Sequence, residues 1–166
     1  MIKIKFIEYG KWNWLGYQAV IQLIDLDKDR ILETLLGSTW PNPFDPTNRD
    51  RRMEKANAAI CPGIYQYQFS KYAHNGETGF NINDNGRIPT ICRNPNQGGE
   101  EYADHVDIHS GYKDGPDGFF ENRQETGWRG SNACLTIKPI CWPTMQMYFI
   151  DGARGPLEVI RPLEKS

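Results

Sequence analysis

The chain has 166 residues, enough for one domain with its own hydrophobic core, and a hydrophobic content of 39% argues against an intrinsically disordered protein. A formal net charge of −2 excludes the basic surface that a nucleic-acid backbone requires, and no run approaches the roughly 20 apolar residues of a membrane-spanning helix. We therefore expect a single domain over residues 1–166, with no nucleic-acid partner and no membrane span. Residues 1–50 are expected to form N-terminal strands and a loop, and residues 60–160 a core that carries the motifs.

The N-terminal part of the chain predicts three antiparallel strands. Ile2, Ile4 and Phe6 alternate with lysines, which is the period of a half-buried strand. Two further apolar runs, at residues 17–25 and 30–36, are separated by a turn-like segment and predict the second and third strands. Residues 40–52 contain three prolines and predict a surface loop.

The rest of the chain predicts short strands, one long loop and little helix. Apolar clusters predict strands at residues 64–69, 80–82, 89–92 and 106–109. Residues 111–130 contain five glycines and few aliphatic residues, which predicts a long loop. A strand that begins at Leu135, a short helix from Pro143 to Phe149 and a strand at residues 157–160 follow. The predicted fold class is mostly β, with one or two short helices and a long loop over the active site.

Cys134 and His109 are the residues most suited to chemistry. Cysteine catalysis needs a thiolate, a neighbouring imidazole and backbone donors for the oxyanion that forms on the attacked carbonyl. His109 ends an alternating run, so its ring is expected at the end of a strand, and Cys134 follows a turn of small residues that can expose its sulfur. We predict that Cys134 is the nucleophile and His109 its base. The residues expected to shape the oxyanion site and pocket are Ser110, Gly111, Ser131, Asn132 and Ala133.

The order of these motifs resembles the L,D-transpeptidase (YkuD-like) catalytic domain family. The matching segments are Ile108-His109-Ser110-Gly111 and Ser131-Asn132-Ala133-Cys134-Leu135, with Cys61-Pro62-Gly63-Ile64-Tyr65 upstream and Gly155-Pro156-Leu157-Glu158-Val159-Ile160 downstream. The resemblance covers residues 60–160 and implies a β-sandwich or barrel of that family.

The resemblance implies an activity on peptidoglycan stem tetrapeptides without a cofactor. Cys134 would attack the amide carbonyl on the L-side of the diamino acid and form a thioester, and His109 would carry the proton. A stem amine, a free D-amino acid or water would then accept the acyl group, and the sequence does not choose among them. Residues expected to contact substrate are Tyr112, Trp128, Arg129 and Thr136.

Peptidoglycan lies outside the cytoplasm, so the resemblance implies a periplasmic or cell-wall site of action. Residues 1–16 alternate charged and apolar residues and lack the apolar segment of a signal peptide. We therefore expect either a domain trimmed from a longer protein or an antibacterial effector delivered by a dedicated secretion system, with an immunity protein as its partner.

Two alternatives stay open at this point, and a third is not expected. Ala133, Asn132 and Thr136 differ from the residues usual in the family, and a cell-wall binding module without turnover would fit those differences. A metal site on His105 and His109 is not expected, because the alternation around them favours a strand without a metalloprotease motif. A disulfide between Cys134 and Cys141 would silence the nucleophile.

Overall fold

Thirteen strands and one short α-helix make up the regular structure of the described residues. The computed structural model describes residues 1–11, 17–40, 58–74, 76–92, 102–113, 128–129 and 134–161. The strands are β1 (Ile2–Lys11), β2 (Tyr17–Asp25), β3 (Arg30–Trp40), β4 (Ala58–Ile60), β5 (Gly63–His74), β6 (Glu77–Ile82), β7 (Ile88–Cys92), β8 (Tyr102–Ala103), β9 (Asp107–Ser110), β10 (Tyr112–Lys113), β11 (Trp128–Arg129), β12 (Leu135–Ile137) and β13 (Arg154–Ile160). The helix is α1 (Trp142–Gln146), and 3₁₀ turns lie at Asn83–Asn85 and Pro139–Cys141.

Eight of the described strands close into a barrel in the order β1, β13, β5, β6, β9, β12, β3, β2. Two neighbouring pairs, β1 with β13 and β9 with β12, are parallel, and the other pairs are antiparallel. The strands of the first 50 residues and those of the motif-bearing core therefore belong to one sheet. A small sheet of β4, β7 and β8 and a pair of β10 with β11 complete the described strands.

Side chains from alternate positions fill the interior of the barrel, as expected for one of this size. Ile4 and Phe6 of β1 are fully buried, and so are Ile108 of β9 and Leu135 of β12. An aromatic cluster forms where β5 and β6 meet the chain after α1. Its members are Tyr67, Phe69, Phe80 and Phe149, whose ring centroids lie 4.8–5.9 Å apart where they touch.

A polar cluster is buried at the end of the barrel where β1, β3 and β13 finish. Glu8 of β1 forms an ion pair with Arg161, which directly follows β13, and Thr39 of β3 donates its hydroxyl to the Glu8 carboxylate. Arg161 also donates to the carbonyl of Ile60 at 3.0 Å. Each charge therefore has a hydrogen-bonded partner, which buried charges require.

The mostly β prediction is confirmed, and so is the antiparallel order of the first three strands. The helix prediction was too long, because α1 ends at Gln146 and the chain continues through turns to Phe149. The loop prediction for residues 111–130 was wrong at both ends, where Tyr112–Lys113 pairs with Trp128–Arg129. Residues 114–127, and the predicted loop beyond Trp40, lie outside the described residues.

The described residues contain no helix with the length and apolar character needed to cross a membrane.

Candidate functional site

Two parallel strands bring Cys134 and His109 together. In the β9–β12 pair, Leu135 lies opposite Ile108 and Thr136 opposite His109. Because Ile108 and Leu135 fill the core, the alternation turns His109 and Cys134 to the other face of the sheet. Both are buried there, His109 to 2% and Cys134 to 7% exposure.

His74, at the end of β5, completes the site. The β5–β6 pairing is interrupted between Ser70 and His74 and resumes where His74 lies opposite Glu77. The His74 ring stacks on the His109 ring, with centroids 3.9 Å apart and planes 10° from parallel. A ring nitrogen of each histidine and the Cys134 sulfur all lie within 4.8 Å of one another.

The Asp107 carboxylate forms a hydrogen bond with the Nδ1 atom of His74. His74 Nδ1 lies 2.9 Å from Asp107 Oδ2, and Asn81 donates its amide to the other carboxylate oxygen at 3.2 Å. Asn81 lies opposite Asp107 in the β6–β9 pair, so the strand register places the two side chains in contact. The carboxylate is thereby fixed by two partners, and it orients the His74 ring.

The hydrogen-bond partners of the two histidines assign their tautomers. His109 Nδ1 lies 2.7 Å from the carbonyl oxygen of Ser110, which can only accept, so we assign the ring hydrogen to Nδ1. By the same argument, a neutral His74 carries its ring hydrogen on Nδ1 and donates it to the Asp107 carboxylate. In both rings the lone pair that can accept a proton is then on Nε2.

The electrostatic environment keeps His109 neutral at neutral pH. Burial and, to a lesser extent, charge repulsion from His74 lower the pKa of His109 to about 4, although the hydrogen bond to the Ser110 carbonyl opposes the shift. An uncharged imidazole beside a thiol can act as a general base.

The backbone amide of Asp107 supports the sulfur. This N–H donates to Cys134 Sγ at 3.5 Å, because Cys134 stands beside Asp107 where β12 begins. A donor aimed at sulfur favours the thiolate over the thiol. Cys134 and Cys141 are both reduced, so the disulfide considered from the sequence is not formed.

The structure describes the other residues predicted for the site to different extents. Ser110 lies in β9 and supplies the carbonyl that orients His109, while the amide of Gly111 donates to the carbonyl of Ile137. Thr136 is fully buried beside His109 and donates its hydroxyl to the carbonyl of Ser38. For Tyr112, Trp128 and Arg129 the described part of the structure gives the backbone pairing alone, and Ser131, Asn132 and Ala133 lie outside it.

The alternation around His105 and His109 favoured a strand that includes both, and this was wrong for His105. His105 has a positive φ of 52° and precedes β9, so it does not share a face with His109. Its side chain is 74% exposed and faces Asp104. The position beside His109 belongs to His74 instead.

Sequence reasoning missed His74, Asp107 and Asn81. Asp107 carried a usable signal, because it alternates with His109 on one strand and must share its face. Nothing local marks His74 or Asn81, since only the pairing of β5, β6 and β9 brings them to the site.

Comparisons with protein-family models, curated proteins and solved structures found no match for this chain, so the geometry of the site carries the functional argument.

Proposed function

We propose that the protein is a cysteine acyltransferase of the L,D-transpeptidase type, which acts on peptidoglycan stem tetrapeptides through a Cys134 thioester. The proposal includes the fold of that family for the eight-stranded barrel. It rests on the order of the motifs around His109 and Cys134 together with the arrangement of their side chains.

The observation that carries the proposal is the proximity of Cys134 and His109, since the Cys134 sulfur and a ring nitrogen of His109 lie within 4.8 Å of each other beside the parallel β9–β12 pair. A nucleophile and its base must be within reach of each other, and the base must be oriented by a third group. Here the Ser110 carbonyl orients His109, and the Asp107 amide donates to the sulfur. Such an arrangement suits acyl transfer better than a purely structural role.

In the proposed first step, Nε2 of His109 takes the thiol proton and the Cys134 sulfur attacks the amide carbonyl of the substrate. A sulfur–carbon bond forms, and the carbonyl electrons move to oxygen. When the tetrahedral intermediate collapses, the carbon–nitrogen bond breaks, and His109 returns its proton to the leaving D-amino acid. A stem amine, a D-amino acid or water then attacks the thioester, loses its proton to His109 and restores the thiol.

His74 and Asp107 act as positioning residues in this scheme. Asp107 fixes His74, and His74 packs flat against His109. The stacked ring restricts His109 to the orientation in which its Nδ1 faces the Ser110 carbonyl. The His109 ring is therefore already ordered before the reaction, so no conformational entropy has to be lost to orient it.

A binding module of the same fold is the second candidate. The observation that favours it is the burial of the nucleophile, since Cys134 is 7% exposed and a substrate carbonyl must reach its sulfur. Such a module would bind muropeptides and form no acyl-enzyme.

The proposed substrate implies action in the periplasm or cell wall, and we keep the secreted-effector hypothesis, with an immunity protein as partner, as part of the proposal. Export of the wild-type chain to a bacterial periplasm should then slow growth. Unimpaired growth of such cells, with the protein shown to be present and folded, would contradict the effector role.

Intact-mass spectrometry tests the proposed activity. Reduced wild-type protein, Cys134→Ala and Cys141→Ala are each incubated with a carbapenem and, separately, with purified tetrapeptide muropeptides. We expect a covalent adduct and muropeptide products with wild type and Cys141→Ala, and neither with Cys134→Ala. Binding of muropeptides by the wild type without adduct or product would support the binding module, and an unchanged product yield with Cys134→Ala would refute the mechanism.

A further inference from the structure

The side chains of Cys134, His109 and His74 form a set of donors that zinc prefers. A thiolate and imidazole nitrogens are the commonest protein ligands of this ion, and three such ligands with one open position is the usual number in a reactive zinc site. One donor atom from each residue lies within 4.8 Å of the others. The three residues come from β5, β9 and the start of β12, so the barrel itself holds them together.

Both histidines carry the outer contacts that zinc-bound histidines make. A ligating histidine almost always donates its second ring N–H to a carboxylate or a backbone carbonyl, which fixes the ring and directs the other nitrogen at the metal. His74 has the Asp107 carboxylate at 2.9 Å and His109 has the Ser110 carbonyl at 2.7 Å, each at Nδ1. Acyl transfer at Cys134 uses one of these histidines as the base and the other to position it, whereas a metal ion would use both as ligands.

The distances require a small adjustment. Zinc–nitrogen bonds of about 2.0 Å and zinc–sulfur bonds of about 2.3 Å place tetrahedral donors about 3.3–3.7 Å apart. Separations in the cluster, which reach at most 4.8 Å, therefore have to shorten by up to about 1 Å. Because the stacked rings are almost parallel, one ring must also turn so that both Nε2 atoms point at one ion. We expect the His74 ring to be the one that turns, since its side chain is 12% exposed and His109 is almost fully buried.

We propose that Cys134, His109 and His74 bind a single zinc ion, and that zinc binding and thioester formation at Cys134 exclude each other. Binding replaces the thiol proton by the metal and releases that proton to solvent. The sulfur lone pair that would attack a substrate carbonyl then forms the bond to zinc. The mutual exclusion rests on the proposed function, whereas zinc binding stands without it.

Metal binding is measured directly on the reduced, metal-stripped protein. Equilibrium dialysis with zinc chloride gives the stoichiometry and affinity, and cadmium reports sulfur ligation through its thiolate-to-metal charge-transfer absorption. We expect one ion per chain in wild type and at least about 100-fold weaker binding, with no charge-transfer band, in Cys134→Ala. Asp107→Asn should keep all three ligands and still weaken binding by about 10–100-fold, as loss of an outer contact does. Equal binding by wild type and Cys134→Ala would overturn the proposal, and so would the absence of stoichiometric binding in wild type.

Two matched variants test whether a thiol or an imidazole outside the cluster contributes to zinc binding. Cys141→Ala removes a reduced thiol outside the cluster, and His105→Asn removes a histidine that is 74% exposed. Both should bind zinc as wild type does, and a loss of affinity equal to that of Cys134→Ala would contradict the assigned ligands. Far-ultraviolet circular dichroism of every variant confirms that weaker binding does not come from unfolding.

A second measurement separates this inference from the proposed function. Carbapenem adduct formation is followed by mass spectrometry in metal-stripped protein, after addition of zinc and after a chelator. We expect acylation to stop with zinc and return with the chelator. Acylation of the stripped protein that zinc leaves unchanged would refute mutual exclusion. Stoichiometric zinc binding by a protein that is never acylated would refute the thioester mechanism and leave the metal site standing.

Discussion

His74 and His109 lie ring on ring, with centroids 3.9 Å apart, although they belong to different strands that are not neighbours in the barrel. Two positive charges at this distance repel strongly in a buried site. Burial of the His109 ring and this repulsion from His74 together hold the pKa of His109 at about 4, and the Asp107 carboxylate contacts His74.

Replacing His109 should remove most of the proposed activity. His109→Gln keeps a polar side chain at this position and deletes the base, so we expect kcat/KM for muropeptides to fall by about 10²–10⁴-fold. His105→Gln is the matched control, because the His105 side chain is 74% exposed outside the site. Steady-state kinetics of both variants checks this, and equal rates for wild type and His109→Gln would remove His109 from the mechanism.

Asp107→Asn should weaken the orientation of the histidine pair without removing a reacting group. The amide cannot match the carboxylate as acceptor for His74 Nδ1, so we expect kcat to fall by about 10-fold with little change in KM. Asp104→Asn is the control, since Asp104 is 74% exposed. A rise in KM alone would indicate a role in binding instead.

Stability should fall when the protein is acidified through the window set by His109. The unfolded chain protonates this ring below its ordinary pKa of about 6.5, whereas burial keeps the folded ring neutral down to about pH 4. The unfolded state therefore binds more protons between these values, and the free energy of unfolding decreases as the pH drops. The decrease attributable to His109 amounts to about 3 kcal/mol by pH 4 and grows no further below it.

Urea unfolding at a series of pH values, for wild type and His109→Gln, isolates this contribution. The carboxylates that also titrate in acid are common to both proteins, so they cancel in the difference. We expect the His109→Gln curve to be flatter between pH 6.5 and 4. Parallel curves would show that His109 titrates alike in the folded and unfolded chain.

The sequence predicted what depends on local pattern, and it missed what depends on pairing. The period of two in residues 2–6 and the apolar run at residues 17–25 predicted strands from local pattern alone. Cys134 and His109 were found because the family resemblance involves their order along the chain. His74 was missed because it joins the site only through the interrupted β5–β6 ladder, which no local pattern encodes. The closed barrel was likewise settled by the parallel pairing of the first and last strands, β1 and β13.

Removing one partner of the Glu8–Arg161 pair should destabilise the barrel strongly. Both side chains are almost fully buried, so Arg161→Met leaves an uncompensated carboxylate in the interior, at a cost of about 3–5 kcal/mol. The double variant Glu8→Met/Arg161→Met removes both charges and should recover most of that loss, because desolvation of the pair cancels much of its attraction. Chemical denaturation of the two single variants and the double variant gives the coupling energy.

The exposed pair of Arg154 and Asp84 provides the comparison for this cycle. Its side chains are 62% and 74% exposed and 3.7 Å apart, so Asp84→Asn should change the free energy of unfolding by less than about 1 kcal/mol. Thr39, which also contacts Glu8, follows Ser38, and Ser38 pairs with Thr136 beside His109. Disruption of the polar cluster of Glu8, Thr39 and Arg161 should therefore also slow acylation of Cys134. A destabilised Arg161→Met variant that acylates at the wild-type rate would show that this end of the barrel and the active site are energetically independent.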